Sequence, residues 1–187
     1  IAKATHNMTG ITFTDVTVTY DGAEHKVEIT GTLPAGVTVA YTTNKGTNAG
    51  TYNATAKFTY DTANYNTIAD MNAVLTINKA KVELPEATTS FVYDGTAKVA
   101  VAAHDLYTVE GATATVVGSY EATVTLNDTA NYEWAESFNG KVAWTITKAT
   151  YDMSGIKFEN VTVTYDGVEH VIEITGTLPE GVTVAYT

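Results

Sequence analysis

The strongest candidates for metal chemistry lie in the sequence Asp-Thr-Ala-Asn-Tyr, which occurs twice without change, at residues 61–65 and 128–132. Asp61 with Asn64, and Asp128 with Asn131, could supply oxygen ligands to calcium, which takes about 6–8 of them. Two such side chains per loop need several further ligands. Asp and Asn also close turns by bonding to nearby main-chain amides. We therefore expect a structural turn at both loops and no cofactor, with calcium as the alternative.

The histidines and serines show no arrangement that would catalyse a reaction. His25 and His170 each follow a glutamate directly, and adjacent strand residues point to opposite faces, so neither pair is aimed at one metal ion. Nucleophilic catalysis needs an activated group with a base in reach. The chain has no cysteine, and its four serines include none in a Gly-x-Ser-x-Gly turn. The sequence therefore predicts a protein that is not an enzyme.

Two tryptophans, Trp134 and Trp144, could bind a carbohydrate by stacking an indole ring on a sugar. A large aromatic side chain in a small β domain is more often part of the core, and we expect that placement for both. The alternative is that these residues, or the segment 102–110 (AAHDLYTVE), bind a host glycan or protein.

The overall charge argues against two classes of partner. Among 187 residues the ten basic ones are all lysines and 21 are acidic, which gives a formal net charge of −11. Nucleic acid and anionic membranes are held by clustered cations, so we expect neither as a partner. The longest apolar runs are four or five residues, far below the roughly 20 that cross a bilayer as a helix. We therefore expect no membrane insertion in this segment.

Internal repetition organises these candidate residues. Residues 1–42 and 146–187 are identical at 31 of 42 positions, and a more divergent copy that begins at Ile77 lies between them. We divide the chain into repeat 1 (residues 1–76), repeat 2 (residues 77–145) and repeat 3 (residues 146–187), which contains only the early part of a unit. The segment Ile77-Asn-Lys-Ala80 joins the first two repeats without a Gly/Ser linker, which predicts restricted hinge motion.

Each repeat has the pattern of short β-strands. Val16 to Tyr20 alternates apolar and polar residues, as a half-buried strand does, and no window has a convincing helical period. Turn signals about every 8–12 residues favour a β-sandwich. Tyr52 follows Gly-Thr and Tyr120 follows Gly-Ser. At such positions sandwich domains often bond a tyrosine hydroxyl to a nearby main-chain group. The sequence thus predicts an all-β protein of tandem small sandwiches.

The motifs shared by the repeats resemble a known family. Along repeat 1 they are Tyr20-Asp21-Gly22, Ile29 to Tyr41, Asn48 to Tyr52, Asn64-Tyr65-Asn66 and Leu75 to Ala80. This pattern resembles the bacterial immunoglobulin-like repeats of the MBG (YGX-type) and YDG type, found in tandem in surface adhesins of mostly Gram-positive bacteria. The resemblance implies immunoglobulin-like Greek-key β-sandwich domains arranged as a rod. It also implies an extracellular location at the cell wall or surface.

The resemblance further suggests a covalent crosslink. Some Gram-positive surface repeats are stiffened by an internal bond between a lysine and an Asn or Asp side chain. Lys3, Lys79 and Lys148 recur at the starts of the three repeats, which makes them the lysines to consider. The same recurrence fits a lysine that discourages strand pairing at an edge, and we expect that simpler role.

The function predicted for the chain is that of a structural spacer, or stalk, which projects a distal binding region from the cell. Its partners are then the neighbouring repeats of a longer chain. The first alternative is an adhesin module in which repeat 2 binds a host glycan or protein. The second is a filament subunit: repeat 3 lacks its late strands, so Val182, Val184 and Tyr186 would be exposed, and another chain could complete it by strand exchange. We expect instead that repeat 3 is cut from a longer chain.

Overall fold

The computed structural model describes every residue from Ile1 to Thr187, and all of its regular elements are β-strands. Repeat 1 contains β1 (Val16–Thr19), β2 (His25–Lys26), β3 (Thr38–Thr42), β4 (Lys45–Gly46), β5 (Gly50–Thr59) and β6 (Met71–Asn78). Repeat 2 contains β7 (Ala80–Val82), β8 (Ser90–Val92), β9 (Lys98–Val99), β10 (Tyr107–Glu110), β11 (Thr113–Ala114), β12 (Gly118–Leu126), β13 (Tyr132–Trp134) and β14 (Lys141–Thr147). The all-β class that the alternating patterns predict is confirmed.

The main sheet of repeat 1 brings the first strand of the repeat beside its last. Its strand order is β1-β6-β5-β3. β5 pairs antiparallel with both β3 and β6, whereas β1 pairs parallel with β6, so that Val16 lies opposite Leu75. β2 and β4 form a separate antiparallel pair. The repeat therefore closes only when β1 meets the strand that leads into repeat 2.

Repeat 2 has a main sheet of the same design. Its order is β10-β12-β14-β8, in which β8 pairs parallel with β14 as β1 does with β6. β7 also pairs parallel with β13, opposite Tyr132 to Trp134. Repeat 1 has a shorter version of this second contact, a single parallel bridge between Ala4 and Tyr65. The two repeats thus build their sheets from corresponding segments of sequence.

Each of the first two repeats has its own hydrophobic core. In β6 the alternation of the sequence places Leu75 and Ile77 in the core of repeat 1, at 0% and 2% exposure. Burying such side chains contributes about 1.5–3 kcal/mol each. Repeat 1 therefore extends past the predicted boundary at residue 76, to the end of β6 at Asn78. Val82 and Ile146 belong to the core of repeat 2, which likewise extends past the predicted boundary at residue 145, to the end of β14 at Thr147. The change from one core to the next therefore falls between Ile77 and Val82, and only Lys79 separates β6 from β7.

The turn after Ile29-Thr30 in repeat 1 depends on a close approach of two main-chain segments. Gly31 has a φ of +98°, and a Cβ at this position would lie 2.4 Å from the carbonyl oxygen of Gly10. Beside it, Thr12 and Thr30 exchange main-chain hydrogen bonds of 3.1 and 2.8 Å. A side chain at position 31 would force these segments apart, which explains the glycine in the Ile-Thr-Gly-Thr-Leu-Pro motif.

Repeat 3 keeps the local turns of repeat 1 without its sheet. The Ile174 N–H donates to the Tyr186 hydroxyl at 2.8 Å, just as the Ile29 N–H donates to Tyr41 at 3.0 Å. After β14 no strand forms, because the segments equivalent to β5 and β6 are not among residues 146–187. Tyr165 is consequently 93% exposed.

The predicted exposure of apolar side chains in repeat 3 is confirmed for two of the three residues. Val184 and Tyr186 are 45% and 49% exposed. For Val182 the prediction was wrong, because this side chain is half-buried in the turn where its N–H donates to the Pro179 carbonyl at 3.1 Å.

Candidate functional site: the junction between repeats 1 and 2

The second Asp-Thr-Ala-Asn-Tyr loop is built as a turn around the carboxylate of Asp128. One carboxylate oxygen accepts the N–H groups of Ala130 and Asn131 at 3.0 and 3.2 Å, and the other accepts the Asn131 side-chain amide at 2.8 Å. That amide is the leading cause of a lowered pKa for Asp128. In the first loop the Asn64 amide lowers the pKa of Asp61 in the same way. The predicted structural turns are confirmed at both loops.

Asn131 also reaches across to repeat 1. Its Oδ1 accepts the main-chain N–H of Ala49 at 2.8 Å, and its Nδ2 lies 3.3 Å from the Oδ1 of Asn48. At 6% exposure it is the one polar residue buried in the chain. Both amide hydrogens and the carbonyl oxygen of this side chain therefore have partners, as a buried polar group requires. One asparagine thus joins the turn of its own repeat to a loop of the preceding one.

Contacts on either side of Asn131 complete the junction. The rings of Tyr20 and Tyr132 meet edge to face, with centroids 5.3 Å apart. Aromatic pairs prefer this geometry. The Lys79 ammonium donates to the carbonyl of Thr129 at 2.6 Å. The Ala80 N–H donates to the Asn131 carbonyl at 2.9 Å. Lys79, the single residue between β6 and β7, is therefore anchored to repeat 2 by its own side chain and by β7, which follows it.

The loop that repeat 1 contributes is held in place by Tyr52. The tyrosine hydroxyl donates to the main-chain carbonyl of Asn48 at 2.8 Å. Its ring lies so close to Gly46 that a Cβ there would be 2.2 Å from it. In repeat 2 the Tyr120 hydroxyl donates to Val116 at 2.7 Å. The predicted bond from each tyrosine to the main chain is confirmed, and in repeat 1 it positions the loop that contacts Asn131.

The predicted metal ligands are not gathered into a cluster, and two of the three candidate crosslinking lysines bond to main-chain carbonyls. No group of three acidic or histidine side chains lies close enough together to hold a metal ion. The Lys3 ammonium donates to the Thr62 carbonyl at 2.7 Å, as Lys79 does to Thr129, and Lys148 is exposed. The contacts of Lys3 and Lys79 are thus with main-chain carbonyl oxygens rather than with the Asn or Asp side chain that a crosslink would use.

The two tryptophans occupy different environments. Trp144 is 1% exposed and donates its ring N–H to the Gly111 carbonyl at 3.1 Å, so its ring is enclosed in the core of repeat 2. Trp134 is half-buried and meets Phe138 edge to face at 5.2 Å. A cavity of about 360 Å³ lies beside both Trp134 and Phe138. Trp134 alone therefore presents part of its ring to an open space.

The first part of the segment 102–110 lines a second cavity, of about 450 Å³, through residues 102–104, 106 and 107. Residues 81–84 form another part of its wall. His104 stacks on Tyr107 at the side of this cavity, with ring centroids 4.7 Å apart. The imidazole Nδ1 accepts the Leu106 N–H at 3.1 Å. His104 is therefore fixed by its own loop.

Sequence reasoning missed Asn48, Ala49 and Tyr20, because their role at the junction depends on contacts between repeats. A signal was present, since the Asp-Thr-Ala-Asn-Tyr loop repeats without change between otherwise divergent units, which a simple turn does not require. It also missed the partner of His25, whose Nε2 lies 2.9 Å from the carboxylate of Asp21. The same pairing recurs in repeat 3, between equivalent residues.

Comparisons with protein-family models, curated proteins and solved structures found no match for this chain. The structure contains no helix of the length and apolar character needed to cross a membrane. What the chain does must therefore follow from its own geometry.

Proposed function

We propose that the chain is a run of structural spacer repeats from a bacterial cell-surface adhesin. It is extracellular, at the cell wall or surface, and holds a distal binding region away from the cell. The observation that carries this proposal is the junction in which Asn131 of repeat 2 binds Asn48 and Ala49 of repeat 1. A spacer must keep its units from folding back on one another, and a one-residue connection with hydrogen bonds across it limits that motion.

The proposed architecture is a rod of immunoglobulin-like Greek-key β-sandwiches of the MBG and YDG type. It is supported by the matching strand orders of the two main sheets and by the parallel pairing of first and last strands in each. The acidic surface keeps neighbouring chains apart and soluble. In this proposal the repeats are not enzymatic, and their partners are neighbouring repeats.

The experiment that tests the spacer function measures whether repeats 1 and 2 move as one body. Residual dipolar couplings of the full chain should fit a single alignment tensor for both repeats. Asn131→Ala should give two tensors, because it removes the bonds to Asn48 and Ala49. The matched control is Asn64→Ala, which breaks the equivalent turn in repeat 1 without touching the junction. Independent tensors in the unmodified chain would refute the spacer function.

The cell-surface location needs a separate test. Antibodies raised against repeat 2 should label intact cells of the producing bacterium as strongly as permeabilised cells. Labelling only after permeabilisation would contradict the proposed location.

The cavity beside Trp134 favours a second candidate function, a module that binds a host glycan. A sugar could stack on the open part of this indole ring, with Phe138 as the neighbouring aromatic wall. A glycan array with the full chain tests this function, and Trp134→Ala should abolish any signal. Binding that survives this substitution would place the ligand elsewhere, and no binding to any glycan would leave the spacer function as the better account.

A further inference from the structure

We propose that the loop of residues 61–65 in repeat 1 is a docking site for another unit of the repeat 1 type. The occupant is the Asn-Ala-Gly loop (the equivalent of residues 48–50) of a unit joined ahead of Ile1 as repeat 1 is joined ahead of Ile77. This inference rests on the proposed spacer function and names its partner. We base the proposed contact on the interface between repeats 1 and 2, in which the loop of residues 128–132 binds Asn48 and Ala49.

The side chains of the two loops have the same arrangement. Asn64 donates its side-chain amide to Asp61 at 2.8 Å, the distance also found between Asn131 and Asp128. The Lys3 ammonium donates to the carbonyl of the second loop residue at 2.7 Å, and Lys79 does the same at 2.6 Å. The side-chain bonds that hold Asn131 and its lysine in place are therefore also present around Asn64.

The main-chain hydrogen bonds around the two loops also correspond. The Ala4 N–H donates to the Asn64 carbonyl at 2.9 Å, and the Ala80 N–H donates to the Asn131 carbonyl at the same distance. Ala4 forms a parallel bridge with Tyr65, as Ala80 pairs with Tyr132. The strand that enters each repeat thus lies on the same side of its loop, and it would lead back to a preceding unit in the same direction.

The difference between the loops is what covers them. Asn131 is buried by Asn48 and Ala49, whereas Asn64 is exposed and its Oδ1 accepts no hydrogen bond from the chain. Asn64 already has its turn bond through the amide nitrogen, so its carbonyl oxygen is available to an N–H donor from outside. In repeat 2 the corresponding oxygen, the Oδ1 of Asn131, accepts the Ala49 N–H.

The chemistry of the occupant follows from the loop that fills the equivalent site. Residues 47–50 (TNAG) carry no charge, so they can approach the carboxylate of Asp61 without repulsion. They offer a main-chain N–H and a small alanine side chain. The equivalent loop of repeat 2 has Val116 and Val117 instead, which are bulkier and lack the asparagine amide. A unit of the repeat 1 type is therefore the partner that fits.

The test uses the full chain extended by a second copy of residues 1–76 placed directly ahead of Ile1. The copy of Thr76 then meets Ile1 as Thr76 meets Ile77 in the original chain. With isotope label in the added unit only, amide exchange of its Ala49 is measured by NMR. Exchange should be about fivefold slower than in the same protein with Asn64→Ala, the factor that one typical hydrogen bond gives. Equal rates would overturn the inference.

Two reference measurements separate the outcomes. In the original chain, Asn131→Ala should speed exchange of the Ala49 amide by a similar factor. If Asn131→Ala has this effect and Asn64→Ala in the extended chain does not, the docking inference fails and the spacer function stands. If neither has an effect, both fail. Sedimentation of the original chain should reveal a monomer, and association that Asn64→Ala abolishes would replace the proposed occupant with a second copy in trans.

Discussion

Replacing Asn131 with alanine should weaken repeat 2 more than the equivalent replacement weakens repeat 1. Asn64→Ala removes the same turn bond to an aspartate, so the local loss is common to both variants. Asn131→Ala also removes the bond from the Ala49 N–H at 2.8 Å and the longer contact with Asn48 at 3.3 Å. The comparison of the two variants therefore isolates the contribution of the junction to the free energy of unfolding.

The size of that contribution follows from the geometry. A hydrogen bond contributes about 0.5–1.5 kcal/mol net, and leaving a partly buried partner unpaired adds to the loss. One short bond and one long contact then correspond to about 1–2 kcal/mol. For a domain of roughly 60–100 residues, about 1 kcal/mol lowers the melting temperature by about 4–8 °C. Repeat 2 should therefore lose at least this much beyond the loss in the control.

The sequence provides a convenient assay, because both tryptophans lie in repeat 2. Tryptophan fluorescence in urea reports the unfolding of repeat 2, and circular dichroism reports both repeats together. The unmodified chain, Asn131→Ala and Asn64→Ala are compared under the same conditions. If Asn131→Ala costs no more free energy than Asn64→Ala, the bonds to Asn48 and Ala49 contribute nothing and the reasoning is refuted.

Three further predictions concern the cores, the turns and the acid range. Trp144→Phe should cost repeat 2 about 2–3 kcal/mol, because it removes buried volume and the bond to the Gly111 carbonyl. Trp134→Phe should cost less, because Trp134 is only half-buried. Equal urea midpoints of the two variants, measured by circular dichroism, would contradict this. Both Gly31 and Gly36 have a positive φ, so the backbone cost of an alanine is common to the two positions. Gly31→Ala should cost repeat 1 about 1–3 kcal/mol more than Gly36→Ala, because a Cβ at position 31 meets a carbonyl oxygen at 2.4 Å and one at position 36 meets nothing within 4 Å. Equal melting temperatures of the two variants would contradict this. The lowered pKa of Asp128 means that its carboxylate stabilises the fold above about pH 4, and that this stability is lost as the pH falls through the lowered value. The difference in fluorescence-monitored urea midpoint between the unmodified chain and Asp128→Asn should therefore shrink towards about pH 2, and a constant difference would count against this linkage.

The features that the sequence predicted well are those with local causes. Alternating residues form β1 and β6, and Tyr52 bonds back to Asn48 only four positions earlier. The Asp61 and Asp128 turns also close within a few residues of sequence. Such elements depend on side-chain direction and turn chemistry, both of which short motifs encode.

The features that the sequence did not predict depend on contacts between distant segments. Ala49 and Asn131 are separated by 82 positions, and turn chemistry alone already accounted for the asparagine. The two tryptophans lie on strands of similar pattern, yet the pairing of β14 with β12 and β8 encloses Trp144 and leaves Trp134 at the side. Burial of this kind depends on which strands become neighbours, and that is decided by the whole repeat rather than by the local pattern.

The parallel pairing of β1 with β6 has a mechanical consequence. A chain pulled from its two ends draws β1 towards the start of the sequence and β6 towards its end, so the two strands are loaded in opposite directions along their length. The hydrogen bonds that join residues 16–19 of β1 to residues 75–78 of β6 are then sheared together rather than opened one by one. The same geometry recurs between β8 and β14. Repeats 1 and 2 thus each resist tension with a whole row of hydrogen bonds, which suits a segment that carries load between two attachment points.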